Sequence, residues 1–413
     1  MKIRNRRTAM ISIADAKRII LESCAHGGHE VRLLADSMNF YLAEDLTTKF
    51  PIPRFDNSAV DGFAVKSQDT ISATKDAPSQ LQIAGTVHTG EATKSSLKTG
   101  QASRVFTGAP VPDGADAVVM LEDTTSDHDV VKITAPLDHG RNIRLAGEEF
   151  KTGDTCMSAH TQMTPPAIAL ASSLGITQIK VYKKPRVALV ITGSELLEPG
   201  SELGPAQIYD SNQLGLTTAL AGMGIVVTRA VRCADNINDT CHALGEALNS
   251  ADAVITSGGA SVGDVDYIKP ALSNLGAKID IESIAIKPGK PTIHARVGSK
   301  HVFGLPGNPV AALVVFALIV RPALQVMSGA NYSEPIQISA RLGSTINKRT
   351  TRTEFVRASL SNDNGELVAI PCHGQQSHML GGLVHADCLI VGDGEPGTIR
   401  EGEPVKVILL PWN

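Results

Sequence analysis

Aromatic side chains are scarce in this chain: they make up 4% of its 413 residues, and the single tryptophan is Trp412. Proteins that hold single-stranded nucleic acid stack its bases on aromatic platforms, so this scarcity argues against that class. An excess of positive charge is missing too. The formal net charge is −4, which removes a general polyanion binder and requires any anion site to be local. The six cysteines, Cys24, Cys156, Cys233, Cys241, Cys372 and Cys388, form no Cys-x-x-Cys pair. Zinc and disulfide frameworks therefore lack their signature, and reduced thiols of a cytoplasmic protein are expected. The longest apolar run, Val310 to Val320, has 11 residues, too few to span a bilayer, and reads as a buried helix of a soluble protein. Lys2, Arg4, Arg6 and Arg7 precede no apolar signal core, because Asp15, Lys17 and Arg18 interrupt the segment.

What the chain does contain is enough apolar material for several cores. Hydrophobic residues reach 42% and charged residues 19%, and at ~150 residues per domain the length implies two to four domains. Residues 11–46 carry apolar side chains at helical spacing, with a turn at Gly27-Gly28. His26 and His29 flank that turn, and solvated histidines between two helices need no function. From about Pro51 to Gly140 short β-like runs alternate with Gly, Pro and Asp, which predicts a β-rich insertion. Residues 165–176 return to helix, opened by two prolines and closed by Gly175. From Lys183 strands alternate with helices: Arg186–Thr192 and Ala253–Thr256 are continuous apolar runs, suited to strands buried on both faces. That alternation predicts a doubly wound, mostly parallel α/β sheet. Residues 331–413 revert to short strands. The expected fold is α/β and β multidomain. Its parts are a helical N-terminal domain (1–50 with 141–182), an inserted β domain (51–140), an α/β domain (183–329) and a small C-terminal β-barrel (330–413).

In such α/β sheets ligands bind beyond the carboxyl ends of the strands. Three strand ends here carry small residues: Thr192-Gly-Ser-Glu, Ser257-Gly-Gly-Ala-Ser-Val-Gly-Asp and Leu305-Pro-Gly-Asn-Pro. Glycines let the backbone approach an oxyanion, and helix N-termini donate to it. Each loop alone is no more than a tight turn. Three at one edge predict a phosphate-bearing ligand, with Ser257, Gly258, Gly259, Pro306, Gly307 and Asn308 as contacts. Neither a P-loop nor a Gly-x-Gly-x-x-Gly motif is present, so nucleoside triphosphate and nicotinamide readings lack support. Lys287-Pro-Gly-Lys-Pro sets Lys287 and Lys290 on a turn bracketed by prolines. Glu195, Asp210, Asp235, Asp264 and Asp266 lie just past predicted strands or at helix starts. Carboxylates beside a phosphate site suit Mg²⁺, whereas Asp210 alone would serve as a helix cap.

Phe55-Asp-Asn-Ser-Ala-Val-Asp-Gly-Phe-Ala-Val resembles the signature of the molybdopterin molybdenumtransferases, the MoeA type also present in the C-terminal region of gephyrin. The resemblance extends in order through Thr107-Gly-Ala-Pro-Val-Pro, Asn142-Ile-Arg, Ile208-Tyr-Asp-Ser-Asn and the Ser257 loop. It continues through Asp266-Tyr, Lys287-Pro-Gly-Lys-Pro and Gly304-Leu-Pro-Gly-Asn-Pro, and so runs from about residue 11 to the C-terminus. It implies an elongated homodimer that inserts molybdate into adenylylated molybdopterin and releases AMP with the help of Mg²⁺. It equally admits a non-catalytic molybdopterin carrier, or a paralogue with altered metal preference. A molybdopterin adenylyltransferase and molybdoenzyme acceptors are the implied partners; nucleic acid and membrane are not.

Carried over by position, Asp56, Thr107, Arg144, Glu195, Asp235, Asp266, Lys287, Arg352 and Ser377 match functional positions of that family. The resemblance gives Glu195, Asp235 and Asp266 a role in holding Mg²⁺ or orienting water. It gives Lys287 and Lys290 a role in binding phosphate or molybdate. Asp56, Thr107 and Arg144 would complete the cleft of a partner subunit. The chain departs from the pattern at Ser194 and Glu149, where the family often has Asp, at the residues after Arg144, and at Glu282, where it often has Lys. The last reverses a charge five residues before Lys287.

Overall fold

The structure, a computed structural model, describes residues 10–92, 96–259 and 267–412. Two compact units make up the chain. The larger contains residues up to 44, 160–172 and 176 onwards; the smaller contains 45–159 and 173–175.

In the larger unit, helix Ile13–Ser23 starts at Ser12, whose hydroxyl accepts from the Asp15 amide at 3.0 Å and donates to the Asp15 carboxylate at 2.8 Å. That exchange satisfies a helix-start donor. The helix expected to follow is replaced by strand His29–Leu33, paired antiparallel with Gln178–Tyr182. The difference has a physical cause. Val31 and Leu33 face outward, 65% and 54% exposed, so apolar residues of a two-residue period stand where a helical stripe was read.

The α/β sheet has six strands in the order Val227–Cys233, Val187–Thr192, Ala253–Ser257, Lys300–Leu305, Ile293–Val297 and Lys278–Ile281. The first four are parallel, and the last two join as antiparallel edge strands. Alternate residues of Val187–Thr192 enter separate cores: Val187 and Leu189 on one face, Ala188 and Val190 on the other. This is why the run lacks alternation in its sequence. From Val187–Thr192 the chain moves to one side of the sheet, and from Ala253–Ser257 to the other. The crevice between these two strand ends is therefore the topological switch point, where such sheets bind ligands. The predicted apolar helix spans Pro309–Met327 and is mostly buried inside the protein. A wide π-type turn at Phe316–Val320 precedes Pro322, whose ring would collide with a regular helix's i−4 carbonyl.

The C-terminal strands Thr353–Asp363, Glu366–Pro371, Ile338–Leu342, Pro404–Leu409 and Cys388–Gly392 pair in that order, and the last pairs back onto the first. They close the expected small barrel, which leaves no open edge. Strand Ile286–Lys287 adds to it, pairing parallel with Thr353 and Glu354.

The smaller unit is a six-stranded sheet in the order Ala117–Met120, Gly62–Val65, Gln101–Val105, Ser79–Val87, Val130–Ile133 and Thr124–Asp127. The glycine of its signature motif has a steric origin. A Cβ on Gly62 would lie 1.9 Å from the Val119 carbonyl oxygen, inside the strand pair itself. Gly62→Ala is expected to cost about 1–3 kcal/mol in urea unfolding, and a loss below about 0.5 kcal/mol would show that the strands part freely.

Candidate functional site

Two adjoining cavities open at the carboxyl end of the α/β sheet. One, of about 670 Å³, is lined at the switch point by Glu195, Asp210, Asp235, Ser257, Gly258 and Gly259, among others. The second, of about 700 Å³, is lined by Lys287, Lys290, Arg349, Arg352, Glu354 and Ser377, among others. Pro291, Pro306, Asn308 and His378 line both. An acidic lobe and a basic lobe thus share one wall.

Glycine makes the acidic lobe possible. Gly258 has φ of +93°, and a Cβ there would fall 2.2 Å from the Thr192 carbonyl oxygen; only glycine lets the two strand ends approach this closely. Asn212 ties the lobe together, its amide donating to Ser257 Oγ at 2.8 Å and to the Gly307 carbonyl at 2.7 Å. Ser257 Oγ in turn donates to the Pro306 carbonyl at 3.2 Å. Asp210 does cap its helix: Oδ1 accepts from the Asn212 and Gln213 amides at 2.9 and 3.0 Å. Its Oδ2, however, is buried with no partner among the described residues, as are Thr192 Oγ1, Thr256 Oγ1 and Asn212 Oδ1. Buried polar atoms are nearly always hydrogen-bonded, so four oxygens unengaged among the described residues, two on strand ends and two at the start of helix Asn212–Gly222, mark a place suited to donors or a cation.

Asp235 accepts from the Ser194 amide at 2.9 Å, and Ser194 Oγ accepts from the Asp235 amide at 3.3 Å. Ser194, a departure from the family pattern, therefore anchors the loop that carries Glu195. Glu195 itself is exposed. Asp264 and Asp266 lie outside the described residues. Among the described residues no group of three His, Cys, Asp or Glu side chains stands close enough to enclose a metal.

The basic lobe rests on the barrel. Gly289, at φ +115°, could not carry a Cβ, which would lie 2.5 Å from Val315 Cγ2, and Thr292 Oγ1 closes the turn on the Gly289 carbonyl at 2.6 Å. Lys287 reaches Glu354 Oε2 at 3.2 Å. Burial would raise the Glu354 carboxyl, but hydrogen bonds from Lys287 and Thr350 hold it below its ordinary value. Arg352 donates to the Ile286 carbonyl at 3.1 Å. Asn308 donates to Ser377 Oγ at 2.9 Å, and the Val310 amide to the Ser377 carbonyl at 3.2 Å. Lys290 is exposed at the rim. Lining residues not evident from the sequence include Arg349, Glu354 and His378. The signals for Arg349 and His378 were the basic run Lys348-Arg349-Thr-Thr-Arg352 and the position next to Ser377. Glu282 lines neither lobe; it stands 3.6 Å from Lys269.

The remaining site residues belong to the smaller unit, on neighbouring loops. Asp56 Oδ1 accepts from the Ala146 amide at 2.7 Å, and Arg144 pairs in register with Asn57. The Thr107 amide and hydroxyl both donate to Asp61 Oδ1 at 2.8 Å, which lowers the Asp61 carboxyl below its ordinary value.

The chain matches three family descriptions: the MoeA N-terminal region over residues 11–175, a probable molybdopterin binding domain over 188–326, and the MoeA C-terminal region over 339–410. It is 34% identical over 403 residues to a molybdopterin molybdenumtransferase of Staphylococcus epidermidis, covering 98% of this chain and 96% of the other. A Staphylococcus aureus enzyme of the same name is 34% identical, with 91% and 90% covered. The crystal structure of the molybdopterin biosynthesis moeA protein of Pyrococcus horikoshii OT3 superposes with a TM-score of 0.83 at 29% identity, covering 97% of this chain and all of that one. Motif order, three consecutive domain matches and near-complete coverage agree: the chain belongs to the molybdopterin molybdenumtransferase (MoeA) family.

Proposed function

We propose that this chain inserts molybdate into adenylylated molybdopterin with Mg²⁺-dependent release of AMP. Membership of the family makes it a transferase of molybdenum cofactor biosynthesis. The observation that carries the finer reading is the shared wall between an acidic, hydroxyl-rich lobe and a lobe of four cationic side chains, Lys287, Lys290, Arg349 and Arg352.

The substrate has two anionic parts to place, a phosphoanhydride and an incoming oxyanion. Gly258 and Gly259 suit close approach of a phosphate to the backbone; at the helix after Asn308, Pro309 has no N–H and the Val310 N–H is held by Ser377, which leaves Ala311, a lining residue. Lys287 and Lys290, with Arg349 and Arg352 behind them, bind oxyanion charge. Water attacks a phosphorus of the anhydride, the P–O bond to the AMP phosphate breaks, and AMP departs with the bond's electrons. A carboxylate of the acidic lobe takes the water's proton.

The donors of that lobe are carboxylate and hydroxyl oxygens, and Asp210 Oδ2 is buried and unengaged among the described residues, a set that suits Mg²⁺, which binds one or two carboxylates and completes its shell with water and phosphate. Glu195 and Asp235, with Asp266, would hold the ion, which would supply positive charge against the phosphate oxygens. In the same reading two copies form a homodimer in the cytoplasm, and Asp56, Thr107 and Arg144 of one copy complete the cleft of the other. The same reading gives four domains with the limits 1–50 with 141–182, 51–140, 183–329 and 330–413.

The test is release of AMP from adenylylated molybdopterin in the presence of molybdate and Mg²⁺. Asp210→Asn keeps the amide-accepting oxygen that caps the helix and removes the charge. It is expected to slow AMP release about tenfold or more and to raise the Mg²⁺ concentration required. Wild-type rates in this variant would remove Asp210 from the site, and tight substrate binding by the unmodified protein without AMP release would defeat the transferase reading.

A further inference from the structure

At the opposite edge of the α/β sheet, the amino ends of the parallel strands, lies a cavity of about 870 Å³. A six-residue strand such as Val187–Thr192 separates it from the cleft by roughly 20 Å. Arg32, Lys183, Lys184, Arg186 and Arg296 line it, with Glu30 and Asp252 as the carboxylates. The arginines are matched. Arg32 reaches Glu30 at 2.7 Å, Arg186 grips both oxygens of Asp252 at 2.9 and 3.2 Å, and Arg296 does the same to Asp280 at 3.1 and 2.7 Å. The adjacent Lys183 and Lys184 have no carboxylate among the described residues.

Lys184 is held in place rather than left to solvent. Its ammonium lies 4.3 Å from the centre of the Phe40 ring and donates to the Met223 carbonyl at 2.7 Å, at the end of helix Asn212–Gly222. Gly224 makes room for it: a Cβ there would stand 2.3 Å from the Lys184 Nζ. Arg32 occupies the same ring at 4.3 Å. Burial, and then the Arg32 charge, push the Lys184 ammonium down to about 8. Capping Met223 uses one of three donors, so two remain. An ammonium that is half-buried beside a second cation gains from an arriving anion what its surroundings withhold.

We propose that this cavity binds a phosphate-bearing small molecule, its phosphate on Lys183 and Lys184. The volume exceeds that of a phosphate and lies in the range of small-molecule sites. His26, His301, Phe40 and Met327 line the remainder and suit an organic body attached to the phosphate. The site is separate from the cleft in place and in residues, so it stands whether or not the transferase reading does.

Calorimetric titration of the full chain with inorganic pyrophosphate tests it, using Lys287→Ala to weaken binding at the cleft. The Lys287→Ala protein is expected still to bind pyrophosphate, and adding Lys184→Met is expected to weaken that binding about tenfold. Methionine keeps the packing on Phe40. Lys183→Met, at an exposed position, provides the same test without disturbing the interior and is expected to act in the same direction. No binding by the Lys287→Ala protein, or binding that neither lysine substitution alters, would overturn the proposal.

Discussion

Replacing Lys287 by alanine is expected to lower the rate of AMP release by about 10²–10³-fold, the range seen when one preorganised stabiliser of developing charge is removed. The geometry explains why one residue should matter this much. Lys287 sits at the end of the strand pair that joins the turn to the barrel. Gly289 and the Thr292–Gly289 hydrogen bond fix that turn, so the ammonium needs little reorganisation to meet an oxyanion. Its contact with Glu354 at 3.2 Å adds a complication, because losing Lys287 strands a carboxylate whose side chain is 9% exposed. The double replacement Lys287→Ala with Glu354→Gln separates the two effects. Stability should return while activity stays low, since neutral glutamine removes the stranded charge without restoring the cation. Activity within threefold of wild type in Lys287→Ala would show that the basic lobe does not hold the reacting anion.

The second large effect is expected at Arg357, 1% exposed and the largest fully buried side chain among the described residues. Among the described residues it has no carboxylate partner. Its guanidinium instead donates to the carbonyls of Gly374 and Gln376, while its own amide donates to Gln375 Oε1 at 3.1 Å. Gln375 returns the contact, donating from Nε2 to the Arg357 carbonyl at 2.8 Å. The loop just before Ser377 and His378 is thus tied to the barrel wall by a buried cation, whose pKa burial lowers. Arg357→Ala would leave a cavity and two unanswered carbonyls, at a cost of about 3–5 kcal/mol. Unfolding in urea should shift accordingly, and amide exchange should quicken at Val310, whose N–H rests on the Ser377 carbonyl. Unchanged exchange at Val310 would mean that Ser377 is positioned by other contacts.

Much of this site is legible in the sequence. The continuous apolar runs announced strands buried on both faces, and the small residues after them marked the carboxyl edge where ligands bind. The prolines of Lys287-Pro-Gly-Lys-Pro announced a fixed basic turn. Each is a local property, written within a few consecutive residues, and the motif order carried the family. The strand His29–Leu33 was misread because its apolar side chains face outward, and nothing local says which way a strand faces.

What tertiary structure alone decided depends on residues far apart in the chain. Ile286 and Lys287 pair with Thr353 and Glu354, and this contact brings Arg349 and Arg352 beside the turn and lets the acidic and basic lobes share a wall. Asp210 reads as a helix cap from its neighbours, and one of its oxygens is; the fold buries the other with no partner among the described residues. Lys183 and Lys184 look like two more surface lysines until Gly224, Phe40 and Met223 close around the second. Sequence fixes local geometry because steric limits and hydrogen bonding act between near neighbours. Charge matching and burial act through space, so they emerge only once the sheet and the barrel have packed.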